Sequence, residues 1–209
     1  MEGSHAARRE AVSFGRLVSF TDGVFAIAIT LLVLNFEVPH IHHETERQLG
    51  YLVSELAGDF GAYFLTFAVV GRMWVVHHRL FSTLETFDGR LITLNLTYLA
   101  MIVLVPFAAE LIGDYGGEPL PAALYGGVLA GASGLNWVMA RHAARAGLLH
   151  PDHREEVRPW AAAGALYIPG VFLASVPVAF FSPLAAELMW TLLVVGRVVY
   201  WRRGSRRAG

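Results

Sequence analysis

Arg16-Leu-Val-Ser-Phe-Thr-Asp-Gly-Val-Phe-Ala-Ile-Ala-Ile-Thr-Leu-Leu-Val-Leu34 is the stretch that decides the fold. Its apolar run approaches the roughly 20 residues, at about 1.5 Å each, that a membrane-crossing helix needs. One acid, Asp22, interrupts it near the start. An ionised aspartate inside a span costs roughly 2.5–3.5 kcal/mol on insertion scales, so it needs a partner. Arg16 is six residues back, about 9 Å along the axis, and the two side chains diverge by about 120°. Arg16 shares a face with Phe20 instead, so Asp22 is expected to find its partner on another helix.

Two stripes run along this helix. Phe20, Gly23, Ile27, Thr30, Leu31 and Leu34 recur at three- and four-residue spacing on one side. Asp22, Phe25, Ala26, Ile29 and Val33 occupy nearly the opposite side. If the first stripe lined a pore, rings of Ile27, Leu31 and Leu34 would constrict it, with Thr30 beside them, and it would gate by dewetting. If the second did so, Asp22 would form a charged ring at the mouth. A helix apolar all round can also be buried on both faces. Periodicity leaves the three readings open.

Composition extends the membrane reading to the whole chain. Hydrophobic residues make up 55% of 209 and charged residues 16%, with mean hydropathy +0.49. Soluble domains carry about 25% charged residues, and a domain this small cannot hide so much apolar surface in one core. Lipid is therefore an expected partner. A net charge of −1 gives no field that would draw nucleic acid. Cysteine is absent, which excludes disulfides and thiolate metal sites. Met1 to Glu10 is polar, carries Arg8 and Arg9, and does not read as a signal peptide.

Six stretches read as spans: about Arg16–Val38, Tyr51–Val76, Arg90–Ile112, Pro121–Arg141, Trp160–Phe181 and Leu184–Trp201. Pro39, the cluster His77-His78-Arg79, and Gly113-Asp114-Tyr115-Gly116-Gly117 mark three of the ends. Arginine supplies all 16 basic residues, and it alternates from side to side. Arg8, Arg9, Arg16, Arg72, Arg79, Arg90, Arg141, Arg145, Arg154, Arg158, Arg197, Arg202, Arg203, Arg206 and Arg207 fall on one side, and Arg47 alone on the other. The arginine-rich side is read as cytoplasmic, with both termini there, in one membrane domain.

Pro106, Pro169 and Pro177 fall inside helices and read as static kinks, or alternatively hinges. Gly127 and Gly131 have the small-x-x-x-small spacing of a close packing face. Asn95 and Asn136 read as interhelical glue, and Trp137, Trp160, Trp190, Tyr200 and Trp201 as interfacial aromatics. Glu110 and Asp114 read as interfacial. His42 and His43 read as solvated; adjacent histidines diverge too far to share a metal, so no resident metal is expected. His77 or His78 is expected to hydrogen-bond Asp22. No nucleophile elbow, phosphate loop or catalytic carboxylate pair occurs, and an enzyme is not expected.

The motif Arg16-x-x-x-Phe20-Thr21-Asp22 and its apolar continuation resemble the signature of the prokaryotic relatives of the endolysosomal potassium channel transmembrane protein 175. The family has serine where this chain has Thr21, which keeps the hydroxyl. Trp74, the ending His77-His78-Arg79-Leu80-Phe81, Leu94-Asn95-Leu96 and Pro106-Phe107 carry the resemblance into the second and third helices. It implies an all-α polytopic homotetramer, six helices per subunit around a central pore. It further implies a channel that conducts potassium with modest preference over sodium and needs no cofactor. The first helix would line the pore, with Ile27, Leu31 and Leu34 as the constriction and Thr30 contributing to selectivity. Arg16 and Asp22 would belong to a polar network behind that helix, with Trp74, His77 and Asn95 as the partners of Asp22. Potassium ions, lipid and further copies of the chain are the implied partners, in the cell membrane. Two other readings stand beside it: a proton- or cation-coupled secondary transporter using Asp22 and His77, and a non-conducting scaffold packed through the glycine-rich fourth helix.

Overall fold

Seven helices fill residues 2–35 and 46–190, the part of the chain that this computed structural model describes. In order they are α1 (Glu2–Leu31), α2 (Glu46–Ser82), α3 (Gly89–Tyr115), α4 (Pro119–Ala146), α5 (Arg154–Ala161), α6 (Tyr167–Ala179) and α7, which starts at residue 183. α1 tightens into a 3-10 turn over Leu32–Asn35. The described residues are all-α, with one isolated antiparallel bridge between Leu84 and Leu149. His42, His43, the sixth span beyond residue 190, Tyr200, Trp201 and the C-terminal arginines lie outside the described residues.

Local chemistry sets the helix ends. Asp88 caps α3 by accepting the Leu91 amide at 2.7 Å, which satisfies one of the free donors of the first turn. Pro119 opens α4, where its missing N–H is no loss. Gly147 closes α4 at φ 71°, a left-handed conformation open to glycine without strain. The chain after it returns along the α2–α3 loop: Glu85 donates its amide to the Leu148 carbonyl, and His150 to that of Thr83, both at 2.9 Å.

α4 is the hub, packing most extensively on α3 and α6, while α3 also packs on α1. Tyr98, Ile102 and Val105 of α3 meet Leu129 and Met139 of α4, with Phe25 of α1 and Val70 and Leu80 of α2 completing the core. α4 can come this close because its inner face is small. A side chain at Gly126 would stand 2.7 Å from the Ser175 hydroxyl, and one at Gly131 would stand 3.2 Å from the Met101 sulfur. Gly127 has open space around it, so the pair expected at 127 and 131 is a tight packing position at 131 only.

Several expected boundaries shift. α2 continues through His77-His78-Arg79 to Ser82, and α3 through Asp114 to Tyr115, because neither sequence breaks a helix. The expected fifth span divides into α5, a 3-10 turn over Ala163–Leu166, and α6. Ala162 is extended there (φ −72°, ψ 158°), which ends α5. Pro169 falls in the first turn of α6, where proline frees no intrahelical partner, so it is not an interior kink. Pro106 and Pro177 do lie inside helices. By length and composition Val12–Leu34 and Gly89–Tyr115 can cross a membrane, and α6 is shorter. Large apolar side chains cover the outside, among them Phe64, Phe107, Leu173 and Phe181. Exposed apolar surface on this scale marks contact with lipid or with other chains.

Candidate functional site

Thr21 and Asp22 are adjacent on α1, and their side chains leave the helix about 100° apart. Each is held by a different helix. The Thr21 hydroxyl donates to the Leu17 carbonyl at 3.0 Å and accepts from Asn95 Nδ2 of α3 at 2.9 Å. Asp22 Oδ1 accepts from the Trp74 indole of α2 at 2.8 Å. Two neighbouring residues gripped from two directions fix the rotation of α1 about its axis.

Asn95 carries the network inward. With its amide nitrogen committed to Thr21, its oxygen faces His77 Nε2 at 2.8 Å, so His77 is the donor there. The His77 ring stacks on Phe81 (4.1 Å between centroids) and Tyr98 (5.0 Å) and tilts against Phe25. Tyr98 in turn donates to the Met73 carbonyl at 3.3 Å. Thr21, His77 and Asn95 are all buried, Asn95 completely, and the three are satisfied as a chain. Low local polarity makes such a chain strong when complete and costly when broken.

Trp74 is therefore the hydrogen-bond partner of Asp22 on another helix. The expectation that His77 or His78 would bind Asp22 is corrected: His77 bonds Asn95, and His78 stacks on Trp74 at 5.2 Å. Asn95 likewise reaches Thr21 and not Asp22. Arg16 is exposed and stands outside the network among the described residues. Asn136, expected to act as glue, has its amide oxygen buried without a hydrogen-bond partner among the described residues. Trp190 donates to Ser175 at 2.7 Å and packs against Tyr125. Trp137 donates to the Ala162 carbonyl at 3.1 Å and lies under the Arg141 guanidinium.

With α1 so held, Thr21, Phe25, Ala28 and Leu32 form its buried face. Phe25 thus leaves the stripe it was grouped with. The other side stays open: Ile27 is 59% exposed, Leu34 72% and Leu31 37%. Phe20, Gly23 and Thr30 share that open side. The Thr30 hydroxyl donates back to the Ile27 carbonyl at 2.9 Å, so its proton is used and its oxygen keeps free acceptor capacity. Among the described residues, the two faces of α1 are not both buried.

A second polar link, without a counterpart in the sequence reading, ties the start of α3 to the end of α4. His142 near the end of α4 reaches both carboxylate oxygens of Asp88, at 2.8 and 3.1 Å. The backbone N–H of Leu91, followed by His142, holds the Asp88 carboxyl below its usual 3.8. An aspartate immediately before a helical run was the only sequence signal for it.

Residues 16–106 match the family described as the endosomal/lysosomal potassium channel TMEM175. A potassium channel of Streptomyces collinus is 39% identical over 101 residues, 48% of this chain and 48% of that protein. The match thus spans about half of that relative's length. A potassium channel of Chamaesiphon minutus is 36% identical over 176 residues, covering 80% of this chain and 85% of its own. The crystal structure of a lysosomal potassium-selective channel TMEM175 homolog from the same organism superposes with a TM-score of 0.70 at 29% identity. It covers 90% of this chain and 98% of that one.

Proposed function

Because the chain belongs to the TMEM175 family, we propose that it is a potassium channel of the cell membrane, built as one multi-pass domain with six spans per subunit. Four copies surround a central pore, and α1 of each copy lines it. The observation that carries this reading is the asymmetry of α1. One side is fixed by Asn95 and Trp74, while the stripe Ile27, Leu31, Leu34 is apolar and unpacked within the subunit. Facing copies of that stripe close the exposed surface and form stacked aliphatic rings.

Such rings hold few water molecules, and a cation must shed or drag its hydration shell to pass; wetting of the constriction then sets conduction. Thr30, with its proton bonded to its own helix, presents a hydroxyl oxygen beside the rings and favours potassium modestly over sodium. Arg16 and Phe20 lie toward the arginine-rich end, which is the cytoplasmic side with both termini. A secondary transporter would bind its substrate between broken helices at the midplane. α1 is continuous from Glu2 to Leu31 and tightens only at Leu32–Asn35, so the pore reading is favoured.

The test is ion flux through purified protein in liposomes under a potassium gradient and then a sodium gradient. Wild type carries potassium faster, and Ile27→Asn and Leu31→Ala alter the flux by wetting or widening the rings. Flux that saturates and follows a proton gradient would instead identify a transporter. Absence of flux from a folded tetramer would sink the open-channel reading.

A further inference from the structure

Three ion pairs use histidine: His142–Asp88, His150–Asp152 and His153–Glu156. All lie at the arginine-rich end, and histidine is the side chain that titrates between pH 5 and 8. Two of the three join residues two or three apart on one exposed segment, so they tie nothing distant together. His142–Asp88 is different. It bridges α4 to the start of α3, and the imidazole is only 13% exposed.

Asp88 sits where that bridge can act on α1. The residue before it, Phe87, stacks on Phe14 of α1 at 5.6 Å, and Phe14 also stacks on Phe81 at 6.3 Å. Seven residues after it, about 10 Å along α3, Asn95 holds Thr21 of α1. The loop carrying Asp88 is further fastened to the chain after α4 by the Glu85–Leu148 and His150–Thr83 amide bonds. A change at His142 therefore reaches α1 through two contacts, one on each side of Asp88.

We propose that the His142–Asp88 pair is a proton-sensitive tie between α4 and the pore-lining helix, so that pH on the arginine-rich face regulates ion flux. This regulation rests on the channel reading above. A neutral imidazole donates one ordinary hydrogen bond to the carboxylate, and a protonated one makes a charge-assisted bond about twice as strong. The charged groups on the elements meeting here are Arg90 at the first turn of α3, which acts on Asp88, and Arg141 and Arg145 on α4. Glu85 lies in the α2–α3 loop, and Arg79 and Arg16 on α2 and α1. His150, Asp152, His153, Glu155, Glu156 and Arg158 lie on the segment that includes α5, and all but Asp152 and His150 pair within it at three-residue spacing. Arg90 favours the ionised carboxylate, which keeps an acceptor in place for His142 as pH falls.

Flux in liposomes, with pH stepped between 8 and 6 on each side in turn, tests the tie. Wild type is expected to change about threefold to fivefold when the arginine-rich face is acidified, from the difference between neutral and charge-assisted bonds. His142→Gln keeps a donor that cannot titrate, and Asp88→Asn keeps the helix cap without the charge; both flatten the profile. His150→Gln and His153→Gln leave it as in wild type. A pH response that persists in both His142→Gln and Asp88→Asn, or a wild-type flux indifferent to pH on that face, overturns the proposal and leaves the channel reading standing. No flux from folded protein at any pH overturns the channel reading, and the regulation falls with it.

Discussion

Asn95→Leu removes the centre of the network while keeping the branched outline of the side chain. Asn95 is fully buried and makes two interhelical hydrogen bonds, to His77 and to Thr21. Their losses differ in kind. Thr21 still donates to the Leu17 carbonyl, so its loss is that of an average interhelical bond in a membrane protein, about 0.6 kcal/mol. His77, 2% exposed, loses its acceptor with no water to replace it, which costs about 1–3 kcal/mol. Together the substitution should destabilise by about 1.6–3.6 kcal/mol, roughly 3–14 °C in melting temperature for a chain of this size. The discriminating step is to add His77→Phe. The phenyl ring keeps the stacking against Phe81 and Tyr98 and removes the orphaned donor, so the double variant should recover about 1 kcal/mol or more. Thermal unfolding in detergent, followed by helical circular dichroism, reads both. An Asn95→Leu variant within about 0.5 kcal/mol of wild type, or a double variant less stable than Asn95→Leu alone, would refute the reasoning.

Three further substitutions separate packing from charge. Gly126→Ala places a methyl 2.7 Å from the Ser175 hydroxyl and 3.4 Å from Trp190, and should destabilise by about 1–3 kcal/mol. Gly127→Ala meets nothing within 4 Å and should be neutral or stabilising by up to about 1 kcal/mol, so melting temperatures that fall equally for both would contradict the packing account. The depressed Asp88 carboxyl contributes stability that is present above its ordinary value of 3.8 and lost as pH falls through the lower folded value. Melting curves of wild type and Asp88→Asn should therefore converge between pH 5 and pH 2, and a gap that stays constant would show that the charge is not the cause.

The sequence was most legible where one helix carried both a length signal and a misplaced charge. Asp22 inside an apolar run demanded a partner on another helix, and Trp74, already singled out, provides it. Which of three candidates it would be was not readable, because Trp74 and His77 are three residues apart on α2 and both face α1. The distinction lies in a few ångströms of tertiary placement. The open stripe of Ile27, Leu31 and Leu34 was visible as periodicity, but its exposure could be settled only by seeing Phe25 and Ala28 buried opposite. Gly127 and Gly131 show the limit of spacing rules: a four-residue interval aligns two positions without saying which faces a neighbour, and Gly126 is the crowded one. α5 escaped notice because eight residues with two acids and two arginines carry no apolar signal. His142–Asp88 joins residues 54 apart, and no local pattern announces such a pair.

The absence of native cysteine makes the central claim directly measurable. Ile27→Cys places the only thiol of the chain on the open side of α1, and Phe181→Cys places one at the most exposed large apolar position among the described residues, 92% exposed, away from that stripe. A charged, membrane-impermeant thiol reagent applied during potassium flux should block Ile27→Cys and leave Phe181→Cys conducting. Complete modification of Ile27→Cys with unchanged flux would mean that the first helix does not line the pore.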